Sequence, residues 1–181
     1  MAKENTTVYA ILGLLTHEAM SGYDIKKRID MSISKFWDMG YGQIYPTLKA
    51  MEKDGDVTKK AAAGKGPDRL VYSITGAGRA KLAAWLADPA QKEYVKYEIL
   101  LKLFFGSLLP VEENIRKIND FRSRSERNLK TMELFRENLE QVLGESADHP
   151  YYLLTVLFGI HAFRAYMDWA DEAVKVLEKN K

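Results

Sequence analysis

The chain holds 181 residues, with 27 Lys and Arg against 25 Asp and Glu and no cysteine. This length suits one or two domains, and 46% apolar with 29% charged residues is an ordinary soluble balance. The missing cysteines exclude disulfides, thiolate metal sites and cysteine nucleophiles, and they fit a reducing, cytoplasmic setting.

The first ten residues lack the basic and apolar regions of a signal peptide. The apolar runs fall far short of the ~20 residues a membrane span needs. The charge is uneven: residues 1–86 carry 13 basic and 9 acidic side chains, residues 87–181 carry 14 and 16. The basic excess lies in the first half, the mild footprint expected of a polyanion partner.

Thr7 to Leu15 (TVYAILGLL) predicts a buried first helix, with Val8, Ile11, Leu12 and Leu15 on one face. Ser21 is a good N-cap for a second helix to about Met31, and Asp24 favours its positive end. Ser32 to Gly40 is a connector that holds Phe36 and Trp37. Tyr41 to Val57 (YGQIYPTLKAMEKDGDV) carries a third helix. Its Ile44, Leu48 and Met51 form an apolar stripe at i, i+4, i+7. Gln43, Pro46, Thr47 and Ala50 are expected on the opposite side, with Lys49 and Lys53 on a flank. Pro46 is expected in the first turn, where its missing N–H costs little. Gly55 is expected to close the helix in the left-handed conformation. Short amide-bearing groups beside lysines suit a helix in a DNA major groove, where amides reach base edges and lysines meet phosphates. Helix, helix, connector, helix is the order of a helix-turn-helix with an added first helix.

From Val57 to Ile74 the period changes to two. Val57 to Ala62 and Arg69 to Ile74 predict a β-hairpin, with Ala63 to Asp68 as its tip. A hairpin after a reading helix makes a winged helix. Lys59, Lys60, Lys65 and Arg69 would then reach phosphates or the adjacent minor groove. Thr75 caps a fourth helix to Leu86. Gly76 and Gly78 form a GxG, but Lys81 stands where a dinucleotide fingerprint needs a third glycine. Gly64-Lys65 lacks the Ser or Thr of a P-loop.

Ala87 to Glu93 is a polar junction, which divides the chain into a winged-helix DNA-binding domain, 1–87, and a helical dimerisation domain, 88–181. Helices are predicted for Tyr94 to Phe105, Val111 to Leu143 and Tyr151 to Glu178. Pro110 opens the second of these, and Gly159 in the third is expected to admit another backbone. In the second, Arg122, Ser125 and Arg136 interrupt an apolar seam through Ile118, Leu129 and Met132. These long amphipathic helices expose more apolar surface than they can bury alone, so a two-fold partner chain is expected. His17, His149 and His161 are isolated, without metal-ligand spacing, and GxSxG is absent, so no enzyme, cofactor or metal is expected.

Several strings together resemble the PadR family of bacterial transcriptional regulators. They are YAILGLL from Tyr9, SGYDI from Ser21, Phe36-Trp37, GQIYPTLKAMEKDG from Gly42, VYSITGAGRAKL from Val71, YEILLKLFFG from Tyr97 and FGIHAFRAYMDWADEA from Phe158. The resemblance implies a mainly α fold: a winged helix-turn-helix with a β-hairpin wing, then an all-helical dimerisation domain. It implies a homodimeric, DNA-binding repressor, released from a palindromic operator by a ligand. In the best-known branch, phenolic acids bind near the junction of the domains. Here Gln43 would read a base edge, while Tyr45, Thr47, Lys49, Lys53, Lys65 and Arg69 complete the DNA-contacting set. Phe36 and Trp37 would wall a pocket for a small planar aromatic effector. The competing reading is a dimeric small-molecule-binding helical protein without sequence-specific DNA binding.

Overall fold

The computed structural model describes residues 6–61, 70–90 and 95–180. It divides into two units, Met1–Lys92 and Glu93–Lys181. Among the described residues no helix is long and apolar enough to cross a membrane.

The first unit is built on α1 (Thr7–Leu15), α2 (Gly22–Met31) and α3 (Tyr41–Lys53). α1 buries Ile11, Leu12 and Leu15 against Ile25 and Ile29 of α2 and Ile44, Leu48 and Met51 of α3. Full burial of each such side chain favours the fold by about 1.5–3 kcal/mol. α2 starts at a complete capping box. Ser21 Oγ accepts from the Asp24 N–H at 3.2 Å, and the Asp24 carboxylate accepts from the Ser21 N–H at 3.1 Å.

α3 begins earlier than its proline suggests. Tyr41 is its first residue, so Pro46 lies inside the helix rather than in the first turn. Pro46 cannot donate to the Gly42 carbonyl one turn back. Both residues face solvent, where water can satisfy that carbonyl. α3 stops at Asp54 and Gly55, whose φ of 79° is the left-handed value that glycine tolerates best.

β1 (Val57–Ala61) and β2 (Leu70–Ile74) form an antiparallel pair, with Val57 opposite Ile74 and Lys59 opposite Tyr72. Met20, just before α2, bridges to Tyr72 through two backbone hydrogen bonds of 3.1 and 2.8 Å. The base of the wing is thereby tied to the start of α2. The expected hairpin tip, with Lys65 and Arg69, lies outside the described residues. α4 (Gly76–Ala87) is capped by Thr75, whose Oγ1 accepts from the Gly78 N–H at 3.0 Å. Trp85 of α4 stacks on Tyr9 of α1, with ring centroids 4.5 Å apart.

The second unit comprises α5 (Glu98–Phe104), a single 3-10 turn (Gly106–Leu108), α6 (Val111–Gln141) and α7 (His149–Lys179). α5 is shorter than expected: residues 95–97 are not helical, and Tyr94 lies outside the described residues. Pro110 is the N-cap of α6, not part of its first turn. α6 and α7 each span 31 residues, a rod of about 46 Å at 1.5 Å per residue. They run antiparallel. Arg122 meets Asp171 through a two-pronged contact (2.6 and 3.1 Å), and Glu133 meets Arg164 at 2.9 Å. Beyond the Glu133–Arg164 pair, towards the start of α7, Met132 packs with Val156 and Ile160. A Cβ on Gly159 would lie 3.1 Å from Met132 Sδ, so a side chain, not a second backbone, occupies the space this glycine leaves.

Candidate nucleic-acid interface

α3 presents two unlike faces. Ile44, Thr47, Leu48 and Met51 are buried, at i, i+3, i+4 and i+7. Gln43, Tyr45, Pro46, Lys49, Ala50 and Lys53 are exposed. Thr47 therefore corrects the expectation of an outward position: it is only 5% exposed. It lies three residues after Ile44 and four before Met51, which places it on the inward side of a 3.6-residue repeat. The solvated face keeps one amide, one phenol and two lysines of the expected set.

Gln43 has a second engagement. Gly40, the N-cap of α3, has no side chain to offer the free N–H groups of the first turn. Gln43 reaches back, and its Oε1 accepts from the Gly40 N–H at 3.2 Å. Its amide nitrogen remains on the exposed side of the helix as a donor. Tyr45 stacks loosely on Tyr41, with centroids 6.1 Å apart and planes 22° apart.

The wing divides its described lysines between two roles. Lys59 Nζ bonds Glu52 of α3 at 2.9 Å. This hydrogen bond is the main reason the Lys59 pKa is raised, so the ammonium stays charged but is engaged by the helix flank. Lys60 is exposed on the neighbouring position. On α2, Lys26 donates to Asp30 and Asp38, and its hydrogen bond to Asp30 leads in raising its pKa. The basic excess of the first half is thus partly spent on internal pairs. Lys49 and Lys53 are the exposed cations carried by the reading helix itself.

Phe36 and Trp37 lie on the connector before α3, where the Trp37 N–H donates to the Ile33 carbonyl at 2.7 Å. Both side chains are partly in solvent, Phe36 54% and Trp37 38% exposed. The second unit holds a separate hollow of about 580 Å³ among Leu103, Leu109, Ile118, Trp169 and Val176. Asn114 at its edge is buried and donates from Nδ2 to the Gly106 carbonyl at 2.8 Å. A Cβ at 106 would stand 3.2 Å from Asn114 Nδ2, a tight contact that the Asn114 side chain would have to yield to. Periodicity alone gave no sign of this hollow, because its walls come from α5, the 3-10 turn, α6 and α7.

Comparison with known proteins divides the chain in a similar way. Residues 11–84 match the model of the transcriptional regulator PadR-like family, and residues 95–178 match that of the virulence activator alpha C-terminal region. A probable transcriptional regulator of Mycobacterium tuberculosis, Rv1176c, is 30% identical over 187 residues, covering 96% of this chain and 98% of the relative. The negative transcriptional regulator PadR of Bacillus subtilis is 29% identical, covering 95% and 97%. The structure of that protein in complex with operator DNA superposes with a TM-score of 0.84 at 28% identity, over 97% of this chain and 99% of the other. Its complex with p-coumaric acid superposes with a TM-score of 0.74 at 26% identity, over 96% and 99%.

Proposed function

The chain belongs to the PadR-like family of transcriptional regulators, and from that premise we propose that it is a homodimeric repressor that occupies a palindromic operator. The observation that carries this is the solvated face of α3. An amide, a phenol and two lysines stand there on a helix whose other face is locked into the core. Each subunit lays this face in a major groove. Gln43 meets a base edge, and Tyr45, Lys49 and Lys53 hold phosphates, as Lys65 and Arg69 of the wing do. A two-fold dimer then needs half-sites a whole number of helical turns apart, each about 34–36 Å.

The dimer is supported by apolar side chains left in solvent on the second unit. Phe104 and Leu108 are more than 80% exposed, and Tyr151, Leu154 and Phe158 of α7 follow one another at i, i+3, i+7. Apolar surface of this extent is the mark of an interaction site. A flat aromatic effector is the second part of the proposal. It rests on the p-coumaric acid complex of the Bacillus subtilis relative and on the two exposed rings, Phe36 and Trp37, joined to the reading helix. Effector and DNA would be linked through unequal affinity for two arrangements, so each weakens the other equally.

The experiment is a salt titration of binding to duplexes recovered from a random-sequence pool. A repressor loses affinity steeply as salt rises, because each neutralised phosphate releases counterions. It also prefers the recovered duplex over a scrambled one. A protein that binds neither, or both alike, is the helical small-molecule binder instead. For the effector, p-coumaric acid is titrated against the protein–DNA complex of wild type and Trp37→Leu. Equal release from both removes Trp37 from the pocket.

A further inference from the structure

We propose that Gly22 is a positioning residue for DNA binding, acting through Tyr45 of the reading helix; this rests on the DNA-binding role proposed above. Gly22 is the first residue of α2 and is buried. Its φ is not in the left-handed region, which among the described residues only Gly55 occupies, so the backbone does not call for glycine there. Helix propensity argues against it, since glycine is the poorest helix former after proline. The neighbour supplies the reason. A Cβ at position 22 would stand 2.6 Å from Tyr45 Cε1, 2.9 Å from Cζ and 3.2 Å from Cδ1. The phenol ring of Tyr45 therefore lies in the space that the missing side chain leaves.

This seat is held from two directions. The capping box of Ser21 and Asp24 fixes the first turn of α2, with Ser21 itself buried. One residue earlier, Met20 is bonded through its backbone to Tyr72 of the wing strand. The chain from Met20 to Gly22 thus joins the wing base, the first helix-turn-helix element and a side chain of the reading helix. Tyr45 remains 49% exposed, so the ring is gripped along one part while the rest meets solvent. A tyrosine held this way presents its hydroxyl in one orientation to a phosphate. Less side-chain entropy is then lost on binding, which is how preorganisation raises affinity.

The atoms that a Cβ at 22 would meet belong to the far end of a rotatable side chain, not to backbone. Gly22→Ala should therefore fold and displace the ring. Its thermal midpoint is expected at or above that of wild type, because alanine lowers the entropy of the unfolded chain. Its affinity for a duplex recovered by wild type from a random pool should fall by roughly two- to tenfold, the worth of one hydrogen bond. Tyr45→Ala should lose as much, and the double variant Gly22→Ala/Tyr45→Ala no more than Tyr45→Ala alone. Tyr45→Phe, which keeps the ring in its seat, separates the hydroxyl from the packing and should match Tyr45→Ala.

Losses that simply add in the double variant overturn the proposal, because Gly22 would then act independently of Tyr45. So does a Gly22→Ala protein that melts well below wild type, since glycine would then serve the fold. Wild type binding its duplex while Gly22→Ala binds equally well sinks this inference alone. Wild type that retains no duplex from the pool sinks the DNA-binding role, and this inference with it.

Discussion

Gly78 offers the sharpest stability test of how the wing is joined to the reading helix. It is the third residue of α4, and a Cβ there would press into the Asp56 carbonyl oxygen while standing 3.0 Å from Leu12 Cδ2 and 3.1 Å from the Asp56 carbonyl carbon. Asp56 lies in the turn between α3 and β1, and its carbonyl accepts both the Thr75 N–H and the Thr75 hydroxyl, each at 3.0 Å. The obstacle is backbone, so the clash cannot be relieved by turning a side chain. Overpacking of this kind costs about 1–3 kcal/mol, and weakening two hydrogen bonds adds about 0.5–1.5 kcal/mol each. The better helix propensity of alanine returns at most about 1 kcal/mol. Gly78→Ala should thus destabilise the first unit by roughly 1–6 kcal/mol, with about 2–4 kcal/mol at the centre of that range. At about 4–8 °C per kcal/mol for a unit of this size, 2–4 kcal/mol lowers the midpoint by roughly 8–32 °C. The assay is a thermal melt of the full chain followed by tryptophan emission, since Trp85 is stacked on Tyr9 inside that unit. A midpoint within about 2 °C of wild type would refute the reasoning, because α4 would then be free to move away from the α3–β1 turn.

Ser21→Ala removes the acceptor for the Asp24 N–H and should cost about 0.5–2 kcal/mol; an unchanged urea midpoint would mean the cap contributes nothing. Tyr166 is pushed up to about 12, first by partial burial and then by its 2.6 Å hydrogen bond with Tyr97. Its folded pKa lies above the unfolded one, so its stabilising share is complete below about pH 10 and lost as pH rises towards 12. Tyr166→Phe should flatten that part of the stability profile of the second unit, and an identical alkaline slope in both proteins would count against it. Under the proposed dimer, Phe158→Asp puts a charge in the α7 patch and should shift sedimentation towards monomer; an intact dimer would place the interface elsewhere.

Much of the first unit was legible because its signals are local. The inward stripe of α3, the cap at Ser21, the stop at Gly55 and the hairpin strands of the wing depend on residues a few positions apart, and the structure contains all four, although burial along the two strands does not alternate as expected. Errors came where two local rules competed. The notion of a first-turn proline hid the start of α3 at Tyr41, and the small polar character of Thr47 outweighed a spacing that places it inward with Ile44 and Met51. Other features depend on distant partners. Lys59 reads as a free wing lysine until β1 brings it beside Glu52. Gly159 reads as a helix-crossing glycine until Met132 fills the space. Gly22 carries no local signal at all, because Tyr45, twenty-three positions later, is what needs its missing side chain.

The amide of Gln43 has two competing partners, the start of its own helix and a base edge. In the free chain its Oε1 satisfies the Gly40 N–H at the start of α3. A bidentate contact to adenine needs both the oxygen and the nitrogen, and such a pair is worth about 1–3 kcal/mol of discrimination. To make it, Gln43 must release the cap, at a cost of about 0.5–1.5 kcal/mol for one net hydrogen bond. If the cap stays, only the nitrogen is available, and it donates to an acceptor on a base. Either way the discrimination through Gln43 should fall at the low end, about 1 kcal/mol or roughly fivefold. Gln43→Ala should lower stability slightly and reduce the preference for the recovered duplex over its single-base variants by that factor. Gln43→Glu separates the two duties. Its carboxylate keeps an acceptor for Gly40 and suits a helix N-terminus, yet it cannot donate to a base and repels phosphate. It should therefore match wild type in stability and bind DNA worse than Gln43→Ala. Competition binding with a panel of single-base variants reads the ratio directly, free of any general loss of affinity. Should both variants keep the wild-type preference at every position, Gln43 caps its helix and reads nothing.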